Sequence, residues 1–191
     1  MVRCPAHVRD ARPGDASALI EVWAALTAAG GSSVAVAAEA ATRIAADPDQ
    51  RLLVAVVDDR VVGAVHLARA PLSPIHAEQA VQLSHLHVLE HYGPHGVGRA
   101  LLEAAVSWAE DCHIEHVLAA ASVSDRDANR FMTRLGLTQV AVLRGATVGA
   151  LRAKLPVHPP VAAVVGHRST RGVGQVLARR RSLRRAQSRA G

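Results

Sequence analysis

Aromatic residues are almost missing from this chain: one Phe, two Trp and one Tyr, 2% of 191 positions. Half the residues are apolar, so the core has to be built from Ala, Val and Leu. There are two cysteines, Cys4 and Cys112, and no Cys-x-x-Cys. That excludes a disulfide scaffold and predicts reduced thiols in a cytoplasmic protein. No apolar run is long enough for a membrane span. The opening Met-Val-Arg-Cys-Pro-Ala-His carries no apolar signal segment. Acidic residues stop at Asp127. Residues 1–127 hold nine Arg and all sixteen Asp and Glu, a net −7, whereas residues 128–191 hold twelve Arg and one Lys, a net +13. The formal charge of +6 therefore describes an acidic body with a basic end.

The length suits one domain with an appendage, predicted as residues 1–156 and 157–191. Residues 8–12 read as a strand, and Pro13-Gly14-Asp15 as a break and helix cap. Ala16, Leu19, Ile20, Trp23 and Leu26 recur at helical spacing, and that helix is expected to end near Gly30-Gly31. Residues 35–46 form a second helix. Residues 51–57 and 61–68 are β-branched runs around Asp58-Asp59-Arg60, a hairpin pattern. Residues 81–88 are a further strand. Val97, Leu101, Ala104, Ala105, Trp108 and Cys112 share one helical face. Residues 117–121 form a short strand, and a helix capped at Ser124 or Asp125 ends at Gly136. Residues 138–143 and 146–155 read as a closing strand pair. The order β-α-α-β-β-β-α-β-α-β-β predicts an α/β (α+β) fold, a mixed and mostly antiparallel sheet with helices on both faces. Residues 168–191, with eight Arg and neither acid nor aromatic residue, have the composition of a disordered tail.

The stretch Leu83-Ser-His-Leu-His-Val-Leu-Glu-His-Tyr-Gly-Pro-His-Gly-Val-Gly-Arg-Ala-Leu-Leu102 is the one most charged with chemistry. A strand enters a glycine-rich turn that opens a helix. Free N–H groups at such a helix start, with the dipole behind them, suit a phosphate. No Gly-Lys-Ser/Thr follows, which excludes a Walker-type loop. The turn follows the fourth strand, which excludes the usual dinucleotide arrangement.

This turn and the later Ser-Asp-Arg-Asp-Ala-Asn-Arg-Phe-Met-Thr-Arg-Leu-Gly-Leu (residues 124–137) together resemble the GCN5-related N-acetyltransferase family. The resemblance covers the element order of residues 8–155. It implies acetyl-CoA as acyl-donor substrate and an amine, on a small molecule or a protein, as acceptor. The family loop reads Arg/Gln-x-x-Gly-x-Gly/Ala and holds the pyrophosphate. Gly96 and Gly98 match its glycines, with Val97 and Arg99 beside them. Backbone groups of Leu86 and Val88 would then pair with the pantetheine arm. The family's Asn-x-x-Ala-x-x-Phe-Tyr-x-x-x-Gly-Phe is matched at Ala128, Phe131 and Gly136, with Leu137 for the last Phe. Gly93 stands where Arg or Gln is usual, and His95 is the basic residue that replaces part of that contact. Asp125 stands where Asn often touches the donor. Met132 stands where Tyr often protonates the thiolate, and a thioether donates no proton. Ser84 stands where some members place a Glu base.

An alkyl amine with a pKa of about 10.4 arrives protonated, so a base is wanted, and histidine titrates in a useful range. His85 and His87 are the candidates; strict alternation puts them on one face and Ser84 on the other. Strand and loop histidines are also ordinary structural residues, and Met132 reads most simply as core filling. His85, His87, His91 and His95 match no zinc spacing. The acceptor is expected from the side of the first two helices and residues 69–77, and the acidic body favours a cationic one. The alternative is a non-catalytic acyl-CoA sensor or interaction module. In either case the 168–191 tail is a candidate for non-specific nucleic-acid contact. It lacks aromatics to stack on bases.

Overall fold

Five strands form the sheet in the computed structural model, which describes residues 6–24, 33–75 and 77–155. They are β1 (His7–Asp10), β2 (Gln50–Val57), β3 (Arg60–Pro71), β4 (Gln79–Val88) and β5 (His116–Ala119), side by side in chain order. Neighbours are antiparallel except β4 and β5, which run parallel. The β2–β3 hairpin turns at Asp58 and Asp59, both at positive φ (49° and 60°). Two such residues form a turn whose twist matches that of the strands it joins.

Helices cover both faces, as the periodicity predicts. α1 (Ala16–Val22) and α2 (Val34–Ala45) lie on one side, where Leu19, Val22 and Ala41 pack on Leu52, Val54 and Ala64. α3 (Val97–Asp111) lies on the other, where Val97, Leu101, Ala105 and Trp108 pack on Leu53, Ala55, Val65 and Leu83. Burying a Leu or Val side chain in this way contributes about 1.5–3 kcal/mol, so two Ala/Val/Leu layers hold the sheet with few aromatic residues. The arginine of β1 ties the entry to α1: Arg9 donates to both carboxylate oxygens of Asp15 at 2.7 and 2.9 Å. That contact holds the Asp15 carboxyl below the ordinary carboxylate range.

α4 (Arg126–Arg134) starts at Asp125, whose side chain accepts from the N–H of Ala128 at 2.9 Å. It ends as predicted at Gly136, φ +88°. The N–H of Leu137 reaches the carbonyl of Met132 and that of Gly136 the carbonyl of Thr133, both at 3.1 Å. This is the paired closure that a left-handed glycine permits. Met132 is buried, in keeping with core filling.

The chain divides into two compact units, Met1–Gln139 and Val140–Gly191. The predicted closing strand pair, residues 138–143 and 146–155, does not form. Residues 138–147 have no regular element, and α5 (Val148–Lys154) is a helix capped by Thr147, whose hydroxyl accepts from the N–H of Ala150 at 3.2 Å. A short apolar run does not distinguish strand from helix by periodicity alone. Here a capping threonine ahead of Ala, Leu, Arg and Lys decides for helix. α1 ends at Val22 with Trp23 at its C-terminal cap, short of the expected helical run through Leu26; Gly30-Gly31 and the basic tail lie outside the described residues. Among the described residues no helix is long and apolar enough to cross a membrane.

Gly63 of β3 lies beside β4 and against the first residue of α3. A Cβ there would lie 3.1 Å from the carbonyl oxygen of His87 and 3.2 Å from Val88 Cγ2 and Val97 Cγ1. Two of those neighbours are packed side chains and one is backbone, so none yields easily. Gly63→Ala is expected to lower unfolding free energy by about 1–3 kcal/mol, the usual range for overpacking. Gly14→Ala, where a Cβ meets nothing within 4 Å, serves as the control in the same denaturant titration.

Candidate active site

β4 is bent by one extra residue. Ser84 pairs with His66 and His87 with Ala64, so His85 and Leu86 together oppose the single residue Val65. His85 has φ +58°, a left-handed conformation that histidine tolerates better than most residues. Its carbonyl accepts a hydrogen bond from Trp23 Nε1 at 2.8 Å, and the two rings meet edge-on with centroids 6.2 Å apart.

This bulge corrects the alternation expected for the histidines. Leu83, Leu86 and Val88 pack on the α3 side, while Ser84 joins His66 on the α1–α2 side. His87 opposes Ala64 of that second core, so it shares a face with Ser84. A strict two-residue period fails because the extra residue resets the parity.

The bulge also lies where β4 parts from β5. The last β4–β5 pair is Leu83 with Ala119, followed by a bond from the N–H of Ala120 to the carbonyl of Leu83 at 2.9 Å. β4 continues to Val88, and among the described residues it is paired from there only with β3. The N–H of Leu89 goes to the carbonyl of Val62. Antiparallel alternation then turns the N–H and C=O groups of Leu86 and Val88 toward the open edge. An extended ligand can add itself to such an edge.

The glycine turn follows at once. Glu90–His95 is a 3₁₀ turn, and Gly96, φ +81°, opens α3 with no side-chain cap. Ala100 is the first residue bonded back to Gly96, so the N–H groups of Val97, Gly98 and Arg99 have no partner in their own helix. Gly98 faces Phe131 and Val88; a Cβ there would sit 3.7 Å from Phe131 Cζ and 3.8 Å from Val88 Cγ2. The two stretches singled out in the sequence thus meet at the start of α3. Around the turn, Gly93, His95 and Gly96 are exposed, and a Cβ at Gly93 or Gly96 would meet nothing within 4 Å. His95 is tilted against Tyr92, with centroids 6.2 Å apart. The Arg99 guanidinium is tied to Glu103 at 2.8 Å. Asp125 is occupied as the cap of α4.

Sequence reading did not single out His66, Gln50 or Trp23 as site residues. His66 is half-buried in the middle of the sheet, bonded to Ser84 on one side and Gln50 on the other. Burial, and next the charge of nearby His85, push its pKa below the ordinary histidine value. The available signal was a polar residue inside an apolar strand. Its partners come from two other strands, and only the register brings them together.

The family model described as acetyltransferase (GNAT) family matches residues 21–137. No curated protein matches the chain by sequence. Among solved structures, an acetyltransferase of Trypanosoma brucei is similar at 18% identity and TM-score 0.63, over 75% of this chain and 100% of its own. A ribosomal-protein-alanine N-acetyltransferase of Brucella melitensis is similar at 18% identity and TM-score 0.61, over 76% and 100%. An aminoglycoside N-acetyltransferase in complex with CoA is similar at 14% identity and TM-score 0.64, over 77% and 98%. At these identities the likeness is one of fold.

The left-handed bulge residue is open to test. His85→Val is expected to lose about 1–2 kcal/mol of stability, since a β-branched residue resists positive φ. His85→Gly, free of that restriction, is expected to be the more stable of the two in urea denaturation.

Proposed function

The chain belongs to the acetyltransferase (GNAT) family, and from that premise we propose that it moves an acetyl group from acetyl-CoA to a primary amine. The observation that carries this reading is the meeting of two features. One is the unpaired β4 edge at Leu86 and Val88, and the other is the uncapped glycine start of α3. An extended amide-bearing arm suits the first and a pyrophosphate the second.

In this reading the N–H groups of Val97, Gly98 and Arg99 hold the pyrophosphate. His95 and Arg99 supply positive charge at its rim, and Gly93 leaves the backbone accessible without a side-chain contact. Asp125 acts indirectly, by fixing the start of α4 and so the position of Phe131. The thioester end then falls beside the His85 bulge, with the acceptor on the α1–α2 side. The amine nitrogen attacks the thioester carbonyl, a C–N bond forms, and the C–S bond breaks. A thiol pKa of about 8.5 makes the thiolate a tolerable leaving group, which suits a site where Met132 offers no proton. His85 and His87 are exposed imidazoles at this end of β4, the direct bases expected from the sequence. The arginine-rich 168–191 segment supports a separate, non-specific contact with nucleic acid or another polyanion.

Acetyl-CoA and CoA are expected to raise the melting temperature, and ATP and NAD to leave it unchanged. Thiol release with acetyl-CoA over a panel of primary amines then tests transfer. Stabilisation by CoA species with no thiol release for any amine would favour a sensor. No stabilisation by either CoA species would refute the acyl-CoA site. Removing residues 157–191 is expected to abolish retention on a polyanionic resin; unchanged retention would clear the tail of that role.

A further inference from the structure

A line of four hydrogen-bonded side chains runs across the sheet and ends at the β4 bulge. Ser84 Oγ lies 3.1 Å from His66 Nδ1, and His66 Nε2 lies 2.9 Å from Gln50 Oε1. Gln50 Nε2 donates to Asp47 Oδ2 at 2.6 Å. The four residues come from β4, β3, β2 and the turn before β2.

The polarity of this line follows from its far end. A carboxylate only accepts, so the Gln50 amide must turn its NH₂ toward Asp47 and its oxygen toward His66. That oxygen also only accepts, so His66 Nε2 carries the proton. Nδ1 is then a bare lone pair, and the hydroxyl that faces it, Ser84, is the donor. The Asp47 carboxyl is kept ionised by the N–H of Asp49 and then by Gln50, which hold its pKa below the ordinary value.

We propose that Ser84 and His66 form a proton relay for the acceptor amine, with Gln50 and Asp47 as positioning residues that fix the imidazole's tautomer. This rests on the transferase reading above. The ammonium gives one proton to Ser84 Oγ while the Ser84 hydroxyl proton passes to His66 Nδ1. The products of that step are a neutral amine, an intact hydroxyl and an imidazolium protonated on both nitrogens. The amine lone pair forms the C–N bond, and the C–S electron pair leaves with the thiolate. The thiolate takes the second amine proton, and the imidazolium returns its proton to solvent. The sum is ammonium plus thioester giving amide, thiol and one proton.

Three observations favour this route over direct transfer to His85 or His87. Ser84 stands next to the bulge, where β5 ceases to cover β4. His66 is held on both nitrogens, whereas no hydrogen bond joins the His87 ring to a described residue. Burial disfavours a charged His66, in keeping with a resting imidazole whose Nδ1 faces the Ser84 hydroxyl. Other charges facing it are few. His85 and His87 lie on β4 and Asp47 at the end of the line. Asp49 is tied to Arg69, Glu21 of α1 to Arg60, and Glu39 and Arg43 of α2 are exposed.

The test uses the full chain with acetyl-CoA and, as acceptors, spermidine, glucosamine, Nα-acetyl-lysine and alanine amide. Ser84→Ala and His66→Gln are expected to lower kcat/KM for the amine at least about 10²-fold, the usual cost of a lost acid–base group. The KM for acetyl-CoA should stay within about twofold, because uniform donor binding is untouched. Ser84→Thr, which keeps the hydroxyl, should restore most of the rate. The acid limb of the wild-type kcat/KM profile should lie below about pH 6.5, the ordinary histidine value, and disappear in His66→Gln. A long-range ¹H–¹⁵N spectrum of the resting protein should show His66 as the Nε2–H tautomer, and Asp47→Ala should erode that preference. A wild-type protein that binds acetyl-CoA but acetylates none of the amines overturns the transferase reading and the relay with it. Active wild type with unimpaired Ser84→Ala and His66→Gln overturns the relay alone. So does an Nδ1–H tautomer at His66, or an acid limb that vanishes in His87→Ala but persists in His66→Gln.

Discussion

The hydrogen bond from Trp23 Nε1 to the carbonyl of His85 clamps the place where β4 carries two residues against one on β3. The strand side of the candidate site follows from that extra residue. It resets the parity of the strand, so Leu86 and Val88 join the α3 core while Ser84 and His87 face α1 and α2. It lies where β5 stops following β4, so among the described residues the backbone beyond it has no partner on that edge. A left-handed histidine is a mildly unfavourable conformation. The clamp from α1 compensates and couples the first helix to the strand that would bear the reaction.

The glycine cradle depends on the same geometry. α3 starts close against the sheet where Gly63 carries no side chain, because a Cβ there would crowd His87, Val88 and Val97; at Gly98 a Cβ would make only ordinary contact with Phe131 and Val88. Gly96 turns the chain at positive φ and leaves three N–H groups without helical partners. The departures from the family pattern then have physical meanings. Asp125 caps α4, Met132 fills the core, and Gly93 leaves open space above the turn. The cradle therefore leans on backbone groups and a helix dipole more than on side chains.

Much of the fold is legible residue by residue. The β-branched apolar run of β2, the Asp58-Asp59 turn and the α3 stripe from Val97 to Trp108 each satisfy a local rule, and each forms. Gly136 closes α4 as its position predicts. The closing strand pair fails because residues 146–155 are short and apolar enough to suit either period, and a cap at Thr147 outweighed alternation. Ser84 and His87 share a face, against strict alternation, for a different reason. A bulge is a property of two paired strands, and one strand's pattern cannot contain it.

By itself, the sequence determined the α/β class, the helices on both faces, the glycine start of α3 and the family resemblance. All of these are written in periodicities and short motifs within single segments. Tertiary structure alone decided the bulge at His85, the edge of β4 beyond β5 and the line from Ser84 through His66 and Gln50 to Asp47. The side-chain line spans thirty-seven positions, Asp47 to Ser84, and exists only once three strands are in register; the clamp on the bulge joins residues 62 apart. Hydrogen bonds across a sheet depend on pairing, and pairing is settled by burial of the whole hydrophobic pattern, not by the residues that end up bonded.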